Sequence, residues 1–258
     1  MRTTLLGLLL LTAACRRPST QFAAMLTPAN QVSVTDYSQH LKAGDEAIAM
    51  GNDPAWSLTL NPSKNTLRFK ALDGDSLTTT IPERQMDSDG VFRYNTGVGL
   101  DRITSLFRPD SCVNKLSGQR LDYRVEVNFR GKSYVGCGAS LQQLALLNDI
   151  WVLTDFRGTA INANGPRNEA PRLEISLAEN RVTGTTGCNR LSGSIKADTR
   201  QLLVGPLVTT KMACQEDANK LESKLLNELS YPLTYRIGER QLTLLRNNKP
   251  VMTFKKVD

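Results

Sequence analysis

The chain has 258 residues, which at about 100–200 residues per domain allows one or two domains beside a targeting segment. Apolar residues make up 40% and charged residues 22%, the balance of a globular chain, and the single histidine, His40, excludes most histidine-dependent hydrolase triads and every two-histidine metal site. The formal charge of +7 (32 Lys and Arg against 25 Asp and Glu) permits contact with anionic surfaces without identifying one.

The first apolar run is the longest, and it is too short for a span of about 20 residues. Met1 and Arg2 give a positive start, and Leu5 to Leu11 is apolar apart from Gly7. Thr12, Ala13 and Ala14 are small, and Cys15 follows. Residues 1–14 are therefore expected to be a secretory signal peptide. The cysteine straight after small residues resembles a bacterial lipoprotein signal, although Thr12 stands where that signal usually has leucine. The resemblance implies cleavage before Cys15, diacylation of its thiol and acylation of the new amine, with palmitate among the chains. Several acyl chains at about 0.8 kcal/mol per buried CH₂ make a lasting membrane anchor. Arg16, where an aspartate would retain the protein at the inner membrane, implies the outer membrane, facing the periplasm. Ordinary secretion into the periplasm is the alternative.

Residues 15–44 are read as the lipidated cysteine and a tether. Arg16 to Asn30 is polar, with Pro18 and Pro28, and its fifteen residues reach about 50 Å when extended. A short helix is expected within Thr35–Met50, before Gly51. His40 lies there without an evident partner constellation and reads as a surface residue.

Residues 45–147 read as a β-rich domain of unknown function. Trp56–Leu60, Thr66–Ala71 and Leu77–Ile81 are short runs broken by Asn-Pro, Asp-Gly and Pro-Glu turn signals. In Leu121–Phe129, apolar Leu121, Tyr123, Val125, Val127 and Phe129 alternate with Asp122, Arg124, Glu126 and Asn128, which predicts a strand with one buried face. Arg130-Gly131 turns the chain into Lys132–Cys137, a hairpin. Leu141, Leu144 and Leu147 have helical spacing and are expected to close this domain.

Residues 148–258 form the second domain, β-rich from Trp151. Leu173, Ile175 and Leu177 alternate, and Val182 to Ile195 holds strands around Gly184, Gly187 and Gly193. The Gly-Thr-Thr-Gly stretch lacks the lysine of a phosphate loop and opens no helix. Gln215 to Leu229 predicts a helix with Leu221, Leu225, Leu226 and Leu229 on one core-facing stripe. Leu233–Ile237, Gln241–Leu245 and Val251–Lys255 read as a three-stranded meander under that helix. The fold class is thus mainly β with one helix per domain, in two small antiparallel sheets.

Five cysteines leave an odd one in an exported chain, and lipidation of Cys15 accounts for it. The remaining Cys112, Cys137, Cys188 and Cys214 permit three disulfide connectivities in an oxidising compartment. We select Cys112–Cys137 and Cys188–Cys214, because each pair falls inside one domain. Each closure contributes about 3.5 kcal/mol in the chain-entropy treatment. Metal binding is the rival, but there is no CxxC and no histidine at zinc-ligand spacing. No metal or cofactor is expected.

Trp151-Val152-Leu153, Gly184-Thr-Thr-Gly187-Cys188-Asn189-Arg190, Gly193, Pro206, Thr209-Thr210-Lys211-Met212-Ala213-Cys214 and a helix carrying Glu222 and Leu225-Leu226 occur in that order. This set is similar to the META domain of the heat-shock HslJ-like proteins of bacterial envelopes. The resemblance implies a bent antiparallel sheet around one helix and supports the pairing of Cys188 with Cys214. It brings no catalytic mechanism, and it implies roles in envelope stress, antibiotic resistance, secretion or motility. Gly51-Asn-Asp-Pro-Ala-Trp56, Cys112, Lys115-Leu-Ser-Gly118, the Tyr123–Phe129 strand and Gly136-Cys137-Gly138 resemble an uncharacterised domain of bacterial lipoproteins, which brings no activity either.

Candidate binding residues are Asn189 and Arg190, in a Gly-rich turn, and Trp151. Against them stand core packing for Trp151 and Trp56 and a turn-stabilising role for Asn189. Ser111, Ser117 and Lys115 lack a nucleophile elbow. Asp73 with Asp75, and Asp87 with Asp89, read as solvated loop acids, and the second pair does not complete a calcium loop. The basic residues are scattered without interleaved aromatics, and with the export signal this argues against nucleic acid. The expected function is a non-enzymatic envelope lipoprotein acting in stress, integrity or antibiotic tolerance by binding an envelope protein or cell-wall component. The alternative is a periplasmic inhibitor of a cell-wall hydrolase such as lysozyme.

Overall fold

A computed structural model describes residues 34–161 and 169–257. The expected signal peptide, Cys15 and the tether up to residue 33 lie outside the described residues.

The first sheet is built from β1 (Ala47–Asn52), β2 (Ala55–Asn61), β3 (Thr66–Ala71), β4 (Ser76–Thr79), β5 (Gln85–Met86), β6 (Phe92–Thr96), β7 (Ile103–Val113), β8 (Arg120–Phe129) and β9 (Lys132–Ser140), with helix α1 (Ser38–Ala43) before it and α2 (Gln142–Ala145) after it. The second is built from β10 (Ile150–Phe156), β11 (Thr159–Ala160), β12 (Arg172–Ser176), β13 (Arg181–Thr185), β14 (Arg190–Ala197), β15 (Gln201–Val204), β16 (Val208–Thr209), β17 (Leu233–Gly238), β18 (Gln241–Arg246) and β19 (Lys249–Lys256), with α3 (Glu216–Leu229) between β16 and β17.

The first sheet is an antiparallel half-barrel in the order β4-β3-β2-β1-β9-β8-β7-β6-β5. Its strands follow the alternation in the sequence. On β8, Leu121, Val125, Val127 and Phe129 are buried while Arg124 and Asn128 are exposed. Arg130 and Gly131 both take positive φ, as a two-residue hairpin turn requires, and β9 returns in register from Phe129↔Lys132. Trp56, Phe69, Phe107, Phe129 and Tyr134 fill the concave face, with Phe69 and Tyr134 edge-to-face at 5.0 Å. At Gly138 the strands leave no room for a side chain, since a Cβ there would stand 2.6 Å from Val125 Cγ2 and 2.8 Å from the Ile48 carbonyl.

The second sheet runs β11-β10-β12-β13-β14-β15-β17-β18-β19, and β10 also pairs with β19. That last pairing corrects the expected bent sheet: it closes a barrel and removes both edges of the main run. Glu239-Arg240 and Asn247-Asn248 form the meander turns, all four residues with positive φ. Leu225 and Leu229 of α3 are buried in the barrel core, as the leucine stripe predicts.

The short helix expected within Thr35–Met50 is α1; it stops where Gly44 takes φ 83° and its N–H closes on His40 and Leu41 carbonyls, and Ala47–Asn52 is then a strand between β2 and β9. Two other expectations change. Two short helices accompany the first sheet, so one helix per domain is approximate. Leu141, Leu144 and Leu147 do not seal the half-barrel. They enter a single cluster with Ile48, Leu121 and Ala139 of the first sheet and with Trp151, Leu173, Leu242 and Phe254 of the barrel.

Polar bonds cross the same junction. Arg200 Nε donates to Asp122 Oδ1 at 2.8 Å, the Thr199 hydroxyl bonds the same carboxylate, and Asn180 Nδ2 donates to Asp36 at 3.1 Å. Cys112 and Cys137 stand at bonding distance between β7 and β9, with Cα atoms 5.4 Å apart, and Cys188 and Cys214 stand likewise at 6.1 Å. Leu144→Ala, a substitution in the α2 turn rather than in either sheet, is expected to lower stability by about 2–5 kcal/mol in urea unfolding. An effect below about 1 kcal/mol would show that the linker leucines do not carry the junction.

Candidate functional site

The Gly-rich motif forms the loop between β13 and β14. Gly187 lies at φ 97°, which favours glycine, and its N–H bonds the Thr185 hydroxyl at 3.1 Å. Asn189 sits at the centre of a closed hydrogen-bond network. Its Oδ1 accepts from Met212 N–H at 2.8 Å and from the Thr210 hydroxyl at 3.0 Å. Its Nδ2 donates to Glu222 Oε2 at 2.9 Å. The Thr186 hydroxyl accepts Asn189 N–H at 3.1 Å and donates to the same Glu222 oxygen at 2.6 Å. Three distant stretches of chain are thereby fixed: the loop, the segment before α3, and α3 itself. The Cys188–Cys214 pair ties the first two covalently.

This geometry corrects two candidate binding residues. Asn189 is 3% exposed and its side-chain amide is satisfied, so it positions the loop rather than contacting a ligand. Its main side-chain partners lie 21–33 residues away, so it also does more than stabilise its own turn. Trp151 is 1% exposed, with Nε1 donating to the Leu147 carbonyl at 3.0 Å, so it packs the core. Trp56 is likewise buried, its Nε1 on the Val135 carbonyl at 3.3 Å.

Arg190 is the candidate that reaches solvent. Its backbone is pinned by paired bonds with Thr210, N–H to Oγ1 and carbonyl to N–H, both 3.1 Å. Its guanidinium has no carboxylate within ion-pair distance among the described residues. It borders an open groove of about 550 Å³ with Arg172, Thr183, Thr185, Ser192 and Thr209. The groove floor is the outer face of β13 and β14, extended by the β16 pairing at Leu191↔Thr209. Glu169 and Glu174 line the groove as well, and Glu174 pairs with Arg172 at 3.2 Å, so a groove of hydroxyls, carboxylates and the Arg190 guanidinium, held on a stapled scaffold, offers directional hydrogen bonds to a polar partner.

The acids singled out in the sequence divide. Asp87 pairs with Arg93 at 2.7 Å on an exposed turn, as loop acids do, and Ser88 donates to Asp89 at 3.2 Å. Asp73 is an exposed turn acid as expected, but Asp75 is buried, and the two act together. Both clamp Lys132 Nζ, at 3.0 and 2.8 Å, and both accept from the Tyr134 hydroxyl, at 2.9 and 2.7 Å. The hydrogen bond from Lys132 holds each carboxyl below the usual range, with Tyr134 adding to it. Burial and the two carboxylates together push the Tyr134 phenol up. Sequence spacing hides this cluster, because its halves lie 57–61 residues apart. His40 also has a partner not foreseen, its Nδ1 lying 2.8 Å from Asp45 Oδ2. Ser111 and Lys115 border a hollow beside Cys112, whereas Ser117 Oγ accepts Gln119 N–H, so the three do not assemble.

Residues 142–258 match the family model of the META domain. No curated protein matches the chain. Among solved structures, the NMR structure of one protein is 23% identical, covers 42% of this chain and 89% of its own, and superposes with a TM-score of 0.36. The NMR structure of a protein from Burkholderia xenovorans is 27% identical over 43% of this chain and 85% of its own, also with a TM-score of 0.36.

Asn189→Ala is expected to cost about 2–3 kcal/mol, since it leaves a buried N–H and part of a carboxylate unbonded, while Arg190→Ala changes stability by less than about 0.5 kcal/mol. Thermal unfolding of both variants checks this, and equal effects would contradict the separation of roles. The acid cluster gives a pH dependence. Carboxyls depressed in the folded state stabilise it above the unfolded value near 3.9, and this contribution is lost as pH falls through the folded values. Lys132→Met removes the main depressing group, so acid unfolding is expected to begin at higher pH. An unchanged acid midpoint would show that the clamp does not couple to folding.

Proposed function

We propose, from the match of residues 142–258 to the META domain, that the protein is a non-enzymatic lipoprotein of the bacterial envelope that acts in stress, integrity or antibiotic tolerance by binding another envelope component. The observation that carries the reading is the exposed guanidinium of Arg190 at the rim of the groove, without an ion-pair partner among the described residues, on a loop that Asn189, Glu222 and the Cys188–Cys214 pair hold rigid. Binding to a rigid polar groove spends little free energy on ordering the receptor, and planar guanidinium groups favour carboxylate- or phosphate-bearing partners. A lipid anchor at Cys15 would confine that groove to within a tether's reach of a membrane, where even weak binding gains from high local concentration.

The test is site-specific photo-crosslinking in intact cells. A photoreactive residue at Ser192 or Thr209, on the groove, is expected to yield a discrete adduct. One at Thr243, on the far meander, is expected to yield none, and Arg190→Ala should reduce the groove adduct. No adduct from either groove position, together with unchanged heat and antibiotic tolerance after deletion of the gene, would overturn the reading.

A further inference from the structure

A second charged site lies away from the groove, where α3 meets two β-turns. Glu228 falls between the core leucines Leu225 and Leu229 and is 2% exposed. A carboxylate so buried needs charge partners. It has two: Arg157, from the turn between β10 and β11, bonds Oε1, and Arg246, at the end of β18, reaches Oε2 at 3.4 Å. Arg246 also stacks over the Tyr231 ring, 3.5 Å from its centre, which fixes the guanidinium plane.

The cations at this place exceed what Glu228 requires. Arg157 stands between two hollows. One, of about 300 Å³, is bordered by Lys224, Asn227 and Thr159; the other, of about 570 Å³, by Arg246, Asn247 and Lys249. Among the described residues no carboxylate lies within 4 Å of Lys224 or Lys249. Asp155, the neighbouring acid on the turn, accepts the Gly158 N–H at 2.8 Å and has no cation within 4 Å among the described residues. Two guanidinium groups therefore share one buried carboxylate, with Lys224 beside one adjoining hollow and Lys249 beside the other. Their mutual repulsion is a cost that an external anion would remove. The Arg157 side chain is 56% exposed, so part of its fork faces solvent while Glu228 holds its other part.

We propose that Arg157, Arg246, Lys249 and Lys224 form a preorganised site for a phosphoryl group, with Glu228 as the buried counter-ion that aims the two guanidinium groups. Two guanidinium groups held on the two oxygens of one carboxylate can offer their remaining N–H donors to a phosphate monoester or diester through charge-assisted bonds. The amide of Asn227 and the hydroxyl of Thr159 supply neutral donors at the edge. The site shares no residue with the groove at Arg190, so it goes beyond the proposed function and stands independently of it.

The experiment is an NMR titration of the full chain, following arginine Nε–H and backbone signals with four additives: inorganic phosphate, sodium chloride at matched ionic strength, monomeric dihexanoyl phosphatidylglycerol and dihexanoyl phosphatidylcholine. Saturable shifts at Arg157, Arg246 and Lys249 with phosphate or phosphatidylglycerol, and none with chloride, support the site. Tighter binding of phosphatidylglycerol than of both phosphate and phosphatidylcholine assigns a lipid headgroup; tighter binding of phosphate assigns a free anion. Lys249→Gln, which touches no buried group, is expected to weaken binding about tenfold. Arg157→Gln alone strips a partner from Glu228 and endangers folding, so the double variant Arg157→Gln, Glu228→Gln is the second test and is expected to abolish binding. Shifts equal to those in chloride, or binding unchanged in both variants, overturn the proposal.

Discussion

The burial of one short segment, residues 141–151, governs the rest of the structure. Leu141, Leu144, Leu147 and Trp151 arrive at the junction from a chain stretch too short to form a core of its own. They are buried only because the first sheet supplies Ile48, Leu121 and Ala139 on one side and the barrel supplies its interior on the other. Burying a leucine or tryptophan side chain contributes on the order of 2–3 kcal/mol each, so the segment gives the two sheets a common reason to stay folded. The polar links at Asp122 and Asp36 fix the orientation that this apolar contact makes favourable.

Against that foundation, the two charged places on the barrel work in contrasting ways. At the Gly-rich loop every polar atom of Asn189 is consumed internally, and the neighbouring Arg190 is released to solvent. At α3, one buried carboxylate holds more positive charge than it can neutralise. Both arrangements rest on an acceptor from α3: Glu222 holds Asn189, the residue before Arg190, and Glu228 pairs directly with Arg157. Both acceptors come from the same helix, so the packing of Leu225 and Leu229 sets the position of each.

Much of the fold is legible in the amino-acid order. Strand β8 declares itself by faultless alternation, and the two-residue turns at Arg130-Gly131 and Asn247-Asn248 fall at the breaks between apolar runs. The disulfide pairs follow from local spacing and from the assignment of each pair to one domain. What escapes is non-local. Closure of the barrel depends on β10 meeting β19 about a hundred residues later, and alternation says nothing about which strands become neighbours. Glu228 escapes because one acid among Leu221, Leu225 and Leu229 does not disturb a period of 3.6. Its only sequence signal is its position within the leucine stripe. Asn189 reads as a turn residue because its partners at Met212 and Glu222 lie far along the chain.

The half-barrel's own aromatic core and the cluster that spans the junction must unfold together if the linker leucines couple the two sheets, and native-state hydrogen exchange tests this most directly. The slowest amides of β8, such as Val125, and those of β18, such as Leu242, are predicted to exchange through the same global opening, with equal free energies that fall together as denaturant is added. Two separate plateaus, with one sheet opening while the other stays protected, would contradict it.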